Sequence, residues 1–347
     1  MTMLVEVCRL QDGPAVAGDE YVRRHPGASH AHLSGWPRLV ERSYGHQGFH
    51  VQAREGGAIT GVLPLILIRG RLFGSSLVSL PFLDDGGIVA DDPGTAKALY
   101  ARAWQLSEAH GATVLELRHR RPVGLDIPVF GSKVTFELDL AASADEMWRR
   151  FDAKLRNQIR KALKLGLTTS WSGLESVAEF YEVFAANMRD LGSPVHSRRF
   201  FEEMLGEFQD SVRLVLVRRG SQVIGGGVCL AFRDTLAVPW AASLRAQRAL
   251  CPNNLLYWEV IRWGCDKGYR RLDYGRSSPG SGTYRFKKQW GATAHPLHWQ
   301  CAGRTGHGGS AIDSGSLKYR WASRLWKRLP VSVTKVIGPP LRRQLSH

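Results

Sequence analysis

The sequence predicts a mixed α/β (α+β) chain of two similar domains followed by a basic helical tail. Three observations indicate this: a strand and helix pattern that occurs twice, a hydrophobic content of 44% over 347 residues, and a basic cluster after residue 303. Such a chain can fill about two hydrophobic cores, which excludes a mainly disordered protein. Its longest apolar run, residues 62–68, is far shorter than the roughly 20 residues of a membrane-spanning helix, and no signal-peptide pattern begins the chain. We therefore expect a cytoplasmic protein.

The repeated pattern aligns two halves of the chain. Residues 51–65 and 215–229 each indicate a strand, a glycine turn and a strand, and residues 99–111 and 256–268 each indicate a helix closed by glycine and followed by a strand. At an offset of 164, three positions agree: Arg54 with Arg218, Gly56 with Gly220 and Gly61 with Gly225. A further strand is predicted between the hairpin and the helix, at 77–82 and at 235–241. The alternative is that such units are common in any α/β protein.

Each half resembles the GNAT acyltransferase unit, and we predict tandem GNAT-like domains at 1–140 and 141–302, with a tail at 303–347. In the second half, Ser143 and Glu146 form a capping box that opens one helix, which Gly166 ends. The predicted elements that follow are a strand at 167–171, helices at 175–190 and 197–208, a glycine-rich loop at 275–282 and a last strand at 296–301 that closes this domain.

Cysteines and histidines do not form a metal pattern. The five cysteines are scattered with no Cys-x-x-Cys pair, and the three histidine pairs at metal-like spacing have no cluster of Cys, Asp or Glu ligands beside them. We predict reduced, packed cysteines and no metal site.

The net charge of +16 has two main sources. Seven basic residues lie on one predicted helix: Arg149, Arg150, Lys154, Arg156, Arg160, Lys161 and Lys164. The tail from 303 to 347 has nine basic residues and one acidic residue, a net charge of 9 − 1 = +8. Both indicate partners that carry phosphate groups, such as a lipid surface or RNA, and we expect no DNA binding.

The tail opens with a flexible linker composition over 303–310, and a short amphipathic helix follows. Leu317, Trp321, Leu325 and Leu329 recur every four residues, and Pro330 ends the pattern. Such a helix fits the interface of an anionic membrane, which would make residues 317–345 a peripheral contact with the inner membrane face. The alternatives are a helix docked on the core with solvated charges, or an RNA contact.

The phosphate-binding loop of acyl-CoA-dependent GNAT enzymes is missing. That loop is a Gln/Arg-x-x-Gly-x-Gly/Ala segment between a strand and a helix, whereas the corresponding residues 243–252 contain no glycine. Residues 222–227 fit the pattern literally but lie in the predicted hairpin, where glycines favour a bulge or a close backbone approach.

A tandem GNAT pair without this loop resembles the FemAB family, whose members transfer an amino acid from aminoacyl-tRNA to an amine of a peptidoglycan precursor. Residues 286–291, Phe-Lys-Lys-Gln-Trp-Gly, are similar to the family's Phe-Lys-x-x-Phe-Gly segment, and residues 156–162 resemble its arginine-rich helix. Phrases at 79–82, 86–91, 191–196, 273–277 and 325–330 resemble the FemAB-related branch that accompanies exosortase/PEP-CTERM exopolysaccharide systems.

The resemblance implies roles for individual residues. Lys287 would stabilise the oxyanion of acyl transfer beside Phe286, with Lys288 as a competitor, and Arg156 with Arg160 one turn later would grip the phosphates of the acceptor. The predicted catalytic residues are Lys287, Asp91 and His196, and the predicted substrate-binding residues are Arg156, Arg160, Tyr274, Arg276, Phe286 and Trp290.

The general base is the least defined role. Ala90 stands where the family has its aspartate, so the acid at Asp91 comes one position late, and Asp84 and Asp85 are alternatives. Asp273 is favoured as a structural hydrogen-bond acceptor.

Three functions remain open. The first is a FemAB-like aminoacyl or acyl transferase acting on a phosphate-bearing cell-envelope or exopolysaccharide precursor, with aminoacyl-tRNA as the donor and no tightly bound cofactor. The second is an acyl-CoA-dependent N-acyltransferase on a small amine. The third is a non-catalytic, membrane- or RNA-associated accessory of the polysaccharide machinery.

Overall fold

Two compact units make up the chain in the computed structural model, which describes residues 3–8, 13–70, 74–303 and 317–345. One unit comprises Met1–Ser132, Pro296–Ser316 and Pro340–His347, and the other comprises Lys133–His295 and Leu317–Pro339. The predicted linker at 303–310 lies, beyond Gly303, outside the described residues. The domain boundaries at 140 and 302 stay predictions.

Strands and helices alternate along both units. The strands are β1 Leu4–Cys8, β2 Gln47–Glu55, β3 Ala58–Gly70, β4 Gly74–Val78, β5 Val89–Ala90, β6 Val114–His119, β7 Val134–Asp139, β8 Leu167–Ser172, β9 Val212–Arg219, β10 Gln222–Phe232, β11 Thr235–Ser243, β12 Arg271–Ser277, β13 Thr293–Pro296 and β14 His298–Gly303. The helices are α1 Gly13–Arg24, α2 Gly35–Tyr44, α3 Pro93–Ala109, α4 Ala144–Arg150, α5 Ala153–Lys164, α6 Val177–Leu191, α7 Arg198–Glu207, α8 Pro252–Asp266, α9 Gly282–Lys288, α10 Leu317–Trp326 and α11 Val331–Arg343. Short 3₁₀ helices lie at His30–His32, Leu174–Ser176 and Arg245–Leu250.

The first sheet has the order β1-β2-β3-β4-β6-β14, with β5 paired to β3. Its one parallel pair is β4 with β6, and α3 connects these strands because a parallel pair needs a crossover. The helix begins at Asp92, whose carboxylate accepts hydrogen bonds from Gly94 N at 2.7 Å and Thr95 N at 3.0 Å. The apolar run at 62–68 is buried throughout in the central strand β3.

The second sheet has the order β13-β7-β12-β11-β10-β9-β8. Its parallel pair is β11 with β12, and α8 is the crossover helix. Hairpin, strand, crossover helix and parallel strand therefore follow one another in both units, which confirms the predicted tandem GNAT-like fold.

The glycines of 222–227 lie within β10, as predicted, and not in a phosphate loop. The pairing of β10 with β9 shifts by one residue between Val223 and Gly225, which is a bulge. A β-carbon on Gly226 would lie 3.0 Å from the side chain of Leu216 and 3.1 Å from that of Phe180. These glycines allow close packing in the sheet.

Three predicted elements differ from the structure. The last strand, predicted at 296–301 to close the second domain, is β14 at His298–Gly303 and pairs with β6 in the first sheet. The strand predicted at 77–82 ends at Val78, and Leu80 and Phe82 then adopt left-handed backbone conformations. The helix predicted from 143 to 166 is interrupted at Phe151 and Asp152, because the Asp152 carboxylate caps a new helix by accepting from Leu155 N at 2.6 Å.

The C-terminal residues form two helices. The predicted amphipathic helix is α10, which precedes Pro330 as expected, and α11 follows it. None of the helices in the described part of the chain is both long and apolar enough to cross a membrane.

Candidate active site

The site lies where the parallel strands of the second sheet separate. The ladder between β11 and β12 runs from Thr235 with Arg271 to Ala237 with Asp273, and both strands continue beyond it. On its other edge, β12 pairs with β7 through a bulge between Asp273 and Arg276. Residues 274 and 275 therefore depart from regular pairing.

The buried Asp273 side chain shapes this bulge. Its Oδ1 accepts hydrogen bonds from Thr135 Oγ1 at 2.8 Å and from Gly275 N at 2.7 Å, and Gly275 has a φ of +70°. Glycine adopts this conformation without strain. Asp273 thus has the contacts of the structural acceptor that the sequence favoured.

Lys287 brings a positive charge to the bulge. It lies on α9, which Ser281 caps by accepting from Tyr284 N at 3.1 Å. The Lys287 side chain is only 7% exposed, and its Nζ donates to Gly275 O and Arg276 O, both at 2.8 Å. Two backbone carbonyls thus replace part of the ammonium's hydration. A buried cation needs such hydrogen bonds, because burial removes its contacts with water.

Aromatic rings surround this position. The ring of Tyr257 lies 4.9 Å from that of Tyr274, 5.5 Å from Phe286 and 6.1 Å from Trp290. The Tyr274 and Trp290 rings are 6.3 Å apart, and Phe151 packs edge-on against Trp290 at 5.3 Å. The structure therefore brings together four predicted residues, Lys287, Tyr274, Phe286 and Trp290, with the backbone of a fifth, Arg276.

Several buried polar atoms of this unit have no hydrogen-bond partner among the described residues. They are Tyr274 OH, Ser277 Oγ, Trp290 Nε1, Arg156 Nε, Asn253 Oδ1 and Trp326 Nε1. Burial raises the pKa of Tyr274 well above its usual value, and the neighbouring Tyr257 adds to this shift. Tyr274 is therefore a neutral hydroxyl near neutral pH. Since buried polar groups in native proteins are nearly always paired, each of these unpaired atoms is a candidate ligand contact.

Helix α5 positions the two predicted phosphate-binding arginines. Arg156 is partly buried, whereas Arg160 is exposed and lies over the Trp148 ring at 5.3 Å. The helix is tied to the start of α8 by a hydrogen bond of 3.1 Å from Asn254 Nδ2 to Gln158 Oε1. Arg160 is thus open to solvent, whereas Arg156 is partly enclosed.

Two predicted catalytic residues lie in other clusters. The His196 ring is buried and stacks on Phe200 at 4.5 Å. Asp91 belongs to the first unit, where Tyr21 OH donates to its Oδ1 at 2.8 Å and His25 Nε2 lies 3.7 Å from it. Their catalytic roles stay predictions.

The connection from β11 to α8 does not form an amide cradle for the pyrophosphate of CoA. It is a 3₁₀ helix, Arg245–Leu250, in which Gln247 N bonds to Leu244 O at 3.0 Å and Cys251 N to Arg248 O at 3.0 Å. Pro252, at the first turn of α8, has no N–H. Two amides of the first turn, Asn254 N and Leu255 N, bond to Cys251 O.

Sequence reasoning missed three residues of this region as site residues: Tyr257, Ser277 and Asn253. Ser277 ends the phrase at 273–277 that carried the family resemblance, and Asn253 follows the proline that opens α8. Tyr257 lies on α8 among apolar residues and had no signal of its own.

Comparison with known proteins agrees with this geometry. Residues 149–288 match the family model described as an acetyltransferase (GNAT) domain, and no curated protein matches the chain. The crystal structure of FemX is similar with a TM-score of 0.69 and 16% identity, covering 85% of this chain and 96% of that one.

Two further solved structures are similar over most of their length. The C-terminal domain of a putative lysylphosphatidylglycerol synthetase from Agrobacterium fabrum has a TM-score of 0.56 and 12% identity, covering 83% of this chain and 91% of that one. A tandem GNAT protein from the clavulanic acid biosynthesis pathway has a TM-score of 0.55 and 14% identity, and the match covers 87% of this chain and 98% of that one. At these identities the likenesses establish the fold.

The domain match and the fold define the class of protein. The chain is an acyltransferase with a tandem GNAT fold. The fold is shared with FemX.

Proposed function

We propose that the protein transfers an amino acid from aminoacyl-tRNA to an amine of a phosphate-bearing cell-envelope or exopolysaccharide precursor. The observation that carries this proposal is the buried Lys287 ammonium at the β12 bulge, where it donates to Gly275 O, the carbonyl of the residue after Tyr274, whose hydroxyl lacks a partner within the described residues. A positive charge enclosed beside unpaired donors is suited to stabilise developing negative charge.

The proposed reaction is aminolysis of an ester. The acceptor amine attacks the ester carbonyl of the aminoacyl-tRNA, a C–N bond forms, the C–O bond to the tRNA ribose breaks, and the ribose oxygen leaves with a proton. Negative charge develops on the carbonyl oxygen, where the Lys287 charge and the neutral Tyr274 hydroxyl would stabilise it. The attacking amine loses a proton to a base. Of the predicted candidates, His196 belongs to the same unit as Lys287, and Asp91 stays a prediction from the sequence.

The arginines of α5 support a phosphate-bearing acceptor. Arg156 Nε is buried without a partner in the described part of the chain, and Arg160 lies one turn further along the same helix. Arginine recognises phosphate through paired N–H groups. A diphosphate contact would satisfy Arg156, whereas an ordinary solvated helix face would not leave its Nε buried.

The β11–α8 connection supports a donor other than acyl-CoA. Its amides bond within the 3₁₀ helix and to Cys251 O, and a proline stands at the first turn of α8. In CoA-dependent relatives of this fold, backbone amides at this place bind the pyrophosphate. This connection therefore differs from the glycine-containing amide loop that binds the pyrophosphate of CoA in those relatives.

Substitution of Lys287 tests the proposal. We expect Lys287→Met to lower kcat/KM for transfer from aminoacyl-tRNA to a precursor amine by about 100-fold or more, since it removes the charge that stabilises the oxyanion. Lys288→Met is the matched control, because Lys288 is adjacent but exposed, and it should change the rate by less than about threefold. Circular dichroism of both variants checks that they fold.

Two results would overturn parts of the proposal. Unchanged transfer by a folded Lys287→Met variant would remove Lys287 from the reaction. Saturable binding of acetyl-CoA in calorimetry, with acyl transfer from it, would replace tRNA by CoA as the donor.

A further inference from the structure

The C-terminal helices dock on the second unit through one face. A β-carbon on Gly192, the residue that ends α6, would lie 2.1 Å from Ser323 Oγ and 2.8 Å from Ser323 O on α10. Arg189 of α6 donates to Leu329 O at 3.0 Å. The loop after α6 likewise contacts α11, because a β-carbon on Gly338 would lie 2.9 Å from Val195 Cγ1. The docking explains why Trp326 is buried.

The opposite face of these helices is apolar and exposed. On α10, Trp321 is 67% exposed and Leu325, one turn later, is 65% exposed. On α11, Val336 is 73% exposed, and Val333 and Ile337 beside it are also exposed. Large apolar side chains this exposed are normally isolated on a protein surface, so five within 17 residues indicate a contact surface. We call these five residues the outer face.

Basic side chains are frequent on the helix that carries Trp321 and Leu325. Arg324, Lys327 and Arg328 are exposed on or just after α10, and the Arg324 guanidinium lies 5.8 Å from the centre of the Trp321 ring. From residue 314 to the end of the sequence, there is no Asp or Glu. The surface therefore combines an aromatic and aliphatic face with a single sign of charge.

We propose that the outer face binds an anionic lipid bilayer surface. Tryptophan and leucine can enter the boundary between headgroups and acyl chains while arginines and lysines contact the phosphates. A second copy of the chain fits less well, because a symmetric contact would place two sets of basic side chains against each other. This inference goes beyond the transfer reaction and does not depend on it, since it states where the enzyme is held.

Vesicle binding by the purified full-length chain tests the inference. We expect it to co-sediment with vesicles of phosphatidylcholine and phosphatidylglycerol, and to remain in solution with vesicles of phosphatidylcholine alone. The double variant Trp321→Ser/Leu325→Ser should weaken binding by at least about tenfold, because two apolar side chains no longer enter the interface. Arg324→Glu/Arg328→Glu should weaken it by about 100-fold, because attraction becomes repulsion.

Two controls test whether the loss of vesicle binding is specific to the outer face. Leu174 is also strongly exposed on the second unit but lies before α6, and Leu174→Ser should bind vesicles as the unchanged chain does. The transfer assay in detergent-free solution with a water-soluble acceptor should give the same rate for the double variants as for the unchanged chain.

Three outcomes would overturn the inference. One is equal binding to vesicles with and without phosphatidylglycerol. Another is binding that survives both double variants. The third is no vesicle binding, combined with loss of dimerisation or of tRNA binding in Trp321→Ser/Leu325→Ser, which would assign the outer face to a second copy or to RNA.

Discussion

At the scale of single residues, Tyr274 combines burial, neutrality and a missing partner. Its hydroxyl has no hydrogen-bond partner among the described residues, and burial raises its pKa. A buried hydroxyl without a partner destabilises the folded chain, since it has lost its hydrogen bonds to water. Stability alone would favour phenylalanine at this position, so the hydroxyl points to a function.

Replacing Tyr274 by phenylalanine separates the effect of the hydroxyl on stability from its effect on the transfer reaction. We expect Tyr274→Phe to leave the free energy of unfolding unchanged or to raise it by up to about 1 kcal/mol, while transfer slows by about tenfold or more. Tyr181→Phe is the contrasting variant, because Tyr181 OH donates to His196 O at 2.9 Å. It should lose about 1 kcal/mol of stability, because its hydroxyl has a partner. Denaturant unfolding and steady-state kinetics measure both effects, and destabilisation by Tyr274→Phe would contradict this interpretation.

How far the sequence predicts the site differs from residue to residue. Lys287, Phe286 and Trp290 lie in one short segment, so a family-like motif was enough to place them together. Tyr257 is brought to the same place by the packing of α8 against the sheet, and no local pattern reports such a contact. Asp91 came from a family position that the sequence matches one residue late, and His196 from a single imidazole in a loop. Both are weaker signals, and the two residues lie in separate clusters.

At the scale of elements, helix capping and helix packing determine two features that the apolar periodicity does not predict. The apolar pattern over 143–166 continues across Asp152, but the aspartate caps a second helix and interrupts the first. In the tail, the four-residue period predicts α10 correctly. It does not reveal that Trp326 packs on the second unit while Trp321 is exposed, because both are aromatic residues on one amphipathic helix.

Close packing at Gly338 provides a test of the docking. In Gly338→Leu, the new side chain would meet Val195, whose Cγ1 lies 2.9 Å and whose N lies 3.1 Å from the position of the β-carbon. We expect α11 to separate from the loop, with a loss of about 1–3 kcal/mol and faster proteolysis of the C-terminal helices. Gly206→Leu is the control, since a β-carbon there meets nothing within 4 Å. Equal protease resistance of Gly338→Leu and the unchanged chain would mean that α11 is not docked in solution.

At the scale of the whole molecule, the sequence repeat predicts the hairpin, crossover helix and parallel pair of each unit. It does not predict which strand completes each sheet. The first sheet is completed by β14, which follows the second repeat, and β7, which precedes that repeat, pairs with β12 in the second sheet. Strand partners far apart in sequence are chosen by tertiary packing, and a repeat search reads only the order of elements.

Two buried histidines make the stability of the chain depend on pH. Trp36 Nε1 donates to His30 Nδ1 at 2.8 Å, and Ser29 N donates to His32 Nδ1 at 3.0 Å, so both rings accept hydrogen bonds as neutral imidazoles. Burial lowers the pKa of each from 6.5 to about 4. The nearby Asp85 carboxyl also has a lowered pKa despite its burial, because Arg120 and His32 favour its charged form.

The direction of the pH effect follows from proton binding. Between pH 6.5 and about 4 the unfolded chain binds protons at His30 and His32 that the folded chain does not bind. The free energy of unfolding is therefore highest above pH 6.5 and falls as the pH decreases to about 4, by up to roughly 3 kcal/mol for each histidine. Protonation of Asp85 lowers it further at more acidic pH.

Urea unfolding across this pH range, followed by circular dichroism, measures the effect. His30→Gln should reduce the pH dependence by the share of one histidine, up to roughly 3 kcal/mol, because an amide oxygen can still accept from Trp36 Nε1 but does not titrate. His295→Gln is the matched control, since His295 is exposed, and its pH dependence should equal that of the unchanged chain. An unfolding midpoint that stays constant from pH 6.5 to about 4 would show that the two imidazoles are not held neutral in the folded protein.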